Sequence, residues 1–346
     1  MNNAAKYVYI AFAAGFCSTS YAAESLTVTS WGGALQKHQS SAFMEPFAKA
    51  SGIKVSQDEW SGELAKLRAM TESGSVVWDV IDVDPQSAEQ ACGQGLLEKL
   101  DYSKIVKPSS LVQGAVLECA VGVSSYATIL AYNPAKLKNV PNTITDIFDT
   151  EKFPGKRTFH KSPVDTLEVA LMADGVPPEK VYEVLETPEG VDRAFKKLDT
   201  IKKDIVWWEA GAQPPQLLKS GEAVIGLAWN GRVGDANKNE KAGLGIVWNG
   251  QIQGFDMWSI PKGSKNQDAA YKFIQYTLNT SNKAELSKYV DYGPTVTDAL
   301  KNVSPEKLKD LPTAPENMKS FLVQNAEFWG LNGPELSARF STWVSK

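Results

Sequence analysis

Aromatic and acidic side chains recur in this chain immediately after short apolar runs. Trp31-Gly32-Gly33 follows one run, Asp84-Pro85 another, Trp207-Trp208-Glu209 a third and Trp229-Asn230-Gly231-Arg232 a fourth. Asp256 and Trp258 open or line a fifth. Ring faces attract an ammonium and carboxylates pair with it, so such a set can hold a small cation without covalent chemistry. Asp165-Thr166-Leu167-Glu168 adds two carboxylates within one helical turn. Two readings of that tetrapeptide stand level: a local helix cap, or a pair of acids that holds an amine. Ten tryptophans are too many for one pocket, and for any one of them packing is the stronger expectation. Trp31 and Trp229 stand apart, because glycine nearby lets a ligand or backbone approach closely.

Catalytic signatures are missing. No G-x-S-x-G, H-E-x-x-H, Walker loop or C-x-x-C occurs, so no nucleophile–base pair can be named. The chain has two histidines, His38 and His160. The first is expected on a helix surface and the second beside the cleft as a donor. A metal site would need several convergent Tyr, His or carboxylate ligands; Asp82 and Asp84 alone do not make one. No cofactor is expected. Tryptophan stacking would also suit a sugar, but a sugar does not need the acids.

The elements that must position these residues alternate. Strands are expected at Leu26–Ser30, Ile53–Gln57, Trp78–Val83, Thr128–Tyr132, Ile205–Glu209, Val224–Leu227 and Asp256–Ile260. Helices are expected at Leu35–Ala50, Glu63–Glu72, Glu168–Asp174, Glu189–Lys202, Arg232–Glu240, Asp268–Leu278 and Asn282–Tyr289. Alternation of this kind predicts an α/β fold with helices packed on a mostly parallel sheet. In such sheets ligands sit at the carboxyl ends of strands, where the aromatic and acidic residues lie. The length of 346 residues exceeds what one core usually supports, so two lobes are expected.

The first 23 residues set the compartment. One lysine in Met1–Lys6, an apolar run Tyr7–Phe16 and the small-x-small Ser20-Tyr21-Ala22 have the layout of a secretory signal peptide. The apolar run is too short to span a bilayer, which takes ~20 residues. Removing this segment takes one lysine and no acid, moving the formal charge from −4 to −5. An acidic exported chain is a poor binder of nucleic acid or anionic membrane. Cys92 and Cys119 then remain, and an even count in an oxidising compartment favours a disulfide over two buried thiols.

Several segments together resemble the spermidine/putrescine-binding group of periplasmic solute-binding proteins that serve ABC importers. They include LTVTSWGG at Leu26–Gly33, FAKASGIKV at Phe47–Val55, GLLEKLDYSKI at Gly95–Ile105 and LAYNP at Leu130–Pro134. Trp78–Val83, Phe153–Lys156 (FPGK), LLKSGEAVIGLAWNGR at Leu217–Arg232 and Asp256–Lys272 extend the likeness over essentially the whole mature chain. The resemblance implies a two-lobed periplasmic-binding-protein fold, each lobe a mixed sheet flanked by helices, joined by crossover hinge strands. It places lobe 1 at residues 24–132 with a return segment at 256–298. Lobe 2 takes residues 133–255 and the C-terminal helices of 299–346. It further implies that Trp31 and Trp229 sandwich the solute's aliphatic stem and that Asp256 pairs with its ammonium. Asp165 and Glu168 fall at the family's second acidic cluster, and Tyr292 matches a late pocket tyrosine.

Two positions depart from the group's pattern. Arg232 stands where its polyamine binders carry a small residue, and Gly254 where they place a tryptophan, with Trp258 a partial substitute. An arginine repels a second ammonium and attracts a carboxylate through bidentate hydrogen bonds. That favours an ω-amino acid such as 4-aminobutyrate or 5-aminovalerate over a diamine. The competing role for Arg232 is an inter-lobe salt bridge to Glu209 or Asp235. The two roles for Arg232 stand level, so the expected function is capture of a small amine-bearing solute, a polyamine or an ω-amino acid such as 4-aminobutyrate, in an inter-lobe cleft by a monomer, for delivery to an ABC importer permease. The alternatives are a sugar, a quaternary amine or a metal ion on the same fold. The expected ligand-binding set is Trp31, Asp84, Asp165, Glu168, Trp208, Trp229, Arg232, Asp256, Trp258 and Tyr292.

Overall fold

A computed structural model describes residues 24–346; the signal-peptide expectation lies outside them. Ten strands join in one mixed sheet. They are β1 (Ser25–Ser30), β2 (Lys54–Glu59), β3 (Val80–Val83), β4 (Ala120–Tyr132), β5 (Arg157–His160), β6 (Ile205–Trp208), β7 (Ile225–Trp229), β8 (Gly245–Ser259), β9 (Gly293–Pro294) and β10 (Phe321–Val323). Their spatial order is β2-β1-β3-β8-β4-β7-β5-β6, with β10 beside β8 and β9 beside β4. The pairs β1–β2, β1–β3, β5–β6 and β5–β7 are parallel. The middle of the sheet is antiparallel, because β4 and β8 run against each other and against β3 and β7.

Two long strands hold the molecule together. β4 has 13 residues and β8 has 15, each more than twice a usual strand. Sequence pattern shows only their ends. The first half of β4 carries Gly122, Ser124 and Ser125, and the first two thirds of β8 carry Asn249, Gly250, Gln251 and Gln253, which break apolar alternation. Neighbours supply what the pattern lacks. The buried amide nitrogens of Gln251 and Gln253 both donate to the carbonyl of Pro312.

Apolar burial gathers chiefly at the two ends of these strands. One core packs Val28, Phe43, Trp78, Ile81, Phe255 and Phe273. A second packs Phe153, Phe159, Leu167, Ile225, Ile252 and Phe340. Each such side chain contributes about 1.5–3 kcal/mol by leaving water. The expected helix Leu35–Ala50 forms, but as Gly33–Gln39 and Glu45–Ser51 around a π-helical turn at Ser40–Met44. Gly52 ends it at φ 74°, a left-handed cap that glycine adopts without a Cβ clash. Cys92 and Cys119 are joined in the expected disulfide. No helix among the described residues is long and apolar enough to cross a membrane.

Candidate functional site

A cavity of about 290 Å³ opens between the strand ends of the two cores. Its aromatic walls are Trp31, Trp229, Tyr126 and Tyr292. Its charged and polar wall is Asp84, Asp256, Arg232 and Gln86, with Leu35 completing the lining. Two wider surface grooves, about 630 and 790 Å³, lie elsewhere and contain none of the strand-end acids.

Each wall has a local cause. Trp31 leaves β1 just before Gly32 and Gly33, which turn the chain at φ 69° and 58°. A Cβ on Gly32 would stand 2.8 Å from the Glu59 carboxylate. The Trp31 ring rests on Trp60, centroids 5.4 Å apart. Trp60 is itself fixed by donating to the Asp82 carbonyl at 2.8 Å. Across the cavity, Trp229 ends β7 and meets Trp208 edge-on at 5.1 Å. Gly211 makes room for it, since a Cβ there would lie 2.6 Å from the indole. Asn230 then links the elements, accepting from Ala127 N and donating to the Asp291 carbonyl.

The acids sit on the first core's side. Asp84 caps the helix Pro85–Gly93, accepting from Ser87 N at 2.8 Å and from its hydroxyl at 2.7 Å. Asp256 lies opposite Ser124 in the β4–β8 register, and the Ser124 hydroxyl donates to it at 2.6 Å. Burial pushes the Asp256 carboxyl up to about 6, with Asp84 adding to the rise while Ser124 and Arg232 oppose it. Burial also raises Asp84. A bound ammonium would relieve both, because a nearby cation favours the ionised carboxylate.

Arg232 comes from the helix Asn230–Glu240, on the second core's side of the cavity. Its Nε is buried without a hydrogen-bond partner among the described residues. The salt bridge expected as its competing role does not form. Glu209 is held by Lys161 at 2.8 Å, and Asp235 senses the Arg232 charge without an ion pair to it. An orphaned guanidinium donor beside a cavity is a position built for an anion.

The structure brings together Trp31, Asp84, Trp229, Arg232, Asp256 and Tyr292. It does not bring in the other four residues. Trp258 points away into the first core, donating to the Thr277 hydroxyl and packing on Phe273. Regular alternation would put Asp256 and Trp258 on one face of β8, but β4 shifts register opposite this stretch. Trp208 is buried behind Trp229, stacked on His160 at 4.2 Å and donating to the Leu227 carbonyl. Asp165 neither caps its helix nor lines the cavity. It accepts from Thr128 and Gln324, each at 2.6 Å. Glu168 accepts from Tyr182 at 2.9 Å and Trp329 at 2.7 Å, and burial raises it to about 8. Both acids sit at the start of the helix Thr166–Ala173, which packs into the second core.

Three lining residues were not expected: Leu35, Gln86 and Tyr126. Gln86 follows Asp84 by two residues and could have been found there. Nothing in Ser124-Ser125-Tyr126 marks a pocket until β8 pairs with it. His38 is half-buried against Tyr289 rather than on the surface. His160 is half-buried against Trp208 and Trp229, and desolvation lowers it to about 4, so it is neutral at pH 7.

Two cores sharing a pair of through-running strands, with an aromatic and charged cavity between them, define a two-lobed solute-binding protein. The profile of the bacterial extracellular solute-binding protein family matches residues 42–316, and the chain belongs to that family. It is similar to the gamma-aminobutyric acid-binding protein of Pseudomonas aeruginosa, 41% identical over 97% of this chain and 95% of that one. Among solved structures it resembles a GABA receptor at TM-score 0.85 and 38% identity, covering 93% of this chain and 98% of that one. It also resembles the binding protein MotA of A. tumefaciens B6, solved with glucopine, at TM-score 0.82 and 34% identity over 92% and 99% of the two chains. The spermidine/putrescine-binding periplasmic protein 1 of Haemophilus influenzae is more distant, 25% identical over 78% of this chain and 75% of that one.

Proposed function

We propose that this protein captures a small ω-amino acid of the 4-aminobutyrate type, without chemistry, and hands it to an ABC importer permease in the periplasm. One observation carries the reading: Arg232, whose buried Nε has no hydrogen-bond partner, shares a single cavity with Asp256 and Asp84. The ammonium would pair with Asp256, supported by Asp84, and the carboxylate with Arg232. The methylene stem would lie between Trp31 and Trp229, with Tyr292 closing the side. A cation–π contact freed of water adds about 2 kcal/mol. The named ligand of the Pseudomonas relative supports the same chemistry.

The lobes would divide at residues 24–132 with 256–298, and 133–255 with 299–346. They would open and close about Leu130–Pro134 and the part of β8 before Asp256. A solute that touches both lobes favours the closed state by its differential contacts.

The test uses protein unfolded and refolded to strip any carried solute. A thermal shift with 4-aminobutyrate should exceed that with putrescine, glycine betaine or a sugar; at 100 times Kd a ligand adds about 2.7 kcal/mol. Trp229→Ala and Asp256→Asn should each weaken binding at least tenfold while the fold survives. Unchanged affinity in both variants would overturn the site.

A further inference from the structure

Along β4 the side chains of Ser124, Tyr126 and Thr128 alternate onto one face of the sheet. The register pairs them with Asp256, Gly254 and Ile252 of β8. Ser124 holds Asp256 at 2.6 Å and Thr128 holds Asp165 at 2.6 Å. Four residues of extended strand span about 13 Å, so two buried carboxylates are anchored on either side of Tyr126. The Asp256 side is the cavity; Asp165 is outside it.

Tyr126 fills the space between. Its ring meets Trp229 at 6.2 Å and Tyr292 at 5.8 Å. It also lies over Gly254, where a Cβ would be 2.5 Å from Cζ and 2.6 Å from the phenol oxygen. The bare backbone of Gly254 is therefore the seat of the tyrosine ring. Burial first, then Asp165, Asp256 and Asp84, hold the phenol well above its ordinary value, so it is a neutral wall flanked by acids.

We infer that Tyr126, seated on Gly254, is the end wall that sets solute length by closing the cavity toward Asp165. The inference rests on the proposed function and names what limits its solute: a stem short enough to fit between Arg232 and Asp256. Longer ω-amino acids and diamines are excluded because the space they would extend into is occupied by the ring.

The experiment is calorimetry of refolded protein with 3-aminopropanoate, 4-aminobutyrate, 5-aminovalerate, 6-aminohexanoate and 1,5-diaminopentane. Wild type should prefer a short member of the series. Tyr126→Ala should raise the affinity for 6-aminohexanoate relative to 4-aminobutyrate at least tenfold, whereas Tyr126→Phe should leave the order unchanged. Gly254→Ala, which forces the ring into the cavity, should shift preference the opposite way, toward 3-aminopropanoate. If Tyr126→Ala does not fold, Tyr126→Leu, which lacks the outer half of the ring, is read in the same way. Wild type that binds no ω-amino acid overturns the proposed function, and the length limit with it. Wild type that binds 4-aminobutyrate, with every folded variant keeping the wild-type order, overturns the length limit alone.

Discussion

At the scale of the residue, the site is a matter of charges held ready. Asp256 is buried beside Asp84 and raised to about 6, so near pH 6 it is half protonated without a cation. Binding an ammonium favours the ionised form, so a proton is released at lower pH. Affinity for an amine should therefore be level above about pH 7 and fall as pH drops through 6, up to tenfold per unit. Calorimetry at pH 7.5 and pH 5 in buffers of different ionisation enthalpy checks both the fall and the proton. The same raised value acts oppositely on the unliganded fold. The folded state binds this proton more tightly than the unfolded chain, so the contribution of Asp256 to stability is present in acid and is lost as pH rises through 6. Trp31 and Trp229 were legible because tight glycine turns and strand ends are local features, whereas Asp256, inside β8, was marked by the family resemblance. Tyr126 was not, because its role exists only through the partner strand.

At the scale of the element, strand and helix order was largely legible and the length of β4 and β8 was not. Their polar halves are strands because neighbours on both sides complete them, a tertiary effect that propensity does not carry. The same applies to Asp165 and Glu168. A three-residue spacing cannot tell a cap from a ligand pair, and the outcome is neither: the donors come from Thr128, Gln324, Tyr182 and Trp329. Glu168 Oε2 has no partner, and with its value near 8 the group is neutral at pH 7. Glu168→Gln keeps the shape and the acceptor that Tyr182 and Trp329 use. It should change both melting temperature and solute affinity little, whereas Glu168→Leu, which strands those two donors, should destabilise by about 1–3 kcal/mol per donor left unpaired. Equal effects of the two substitutions in chemical denaturation would show that the hydrogen bonds do not matter.

At the scale of the whole molecule, the two cores supply opposite charges to one cavity. Asp84 and Asp256 extend from the strands of the first, and Arg232 from the helix that follows β7 of the second. On the proposed reading, a solute with an ammonium and a carboxylate would bridge the lobes by its own two ends, and recognition would be tied to closure. The two-lobed plan was legible from chain length and the recurrence of strand–helix units, and the charge division from Arg232 alone. The measurement that tests this most directly compares 4-aminobutyrate with 1-aminobutane on wild type and Arg232→Gln. Truncating one partner of a buried charge pair costs about 2–5 kcal/mol. The variant should therefore lose at least thirtyfold affinity for 4-aminobutyrate, while 1-aminobutane, weak on wild type, binds as well or better. Equal losses for both ligands, or none for either, would contradict the assignment of Arg232 to the solute carboxylate.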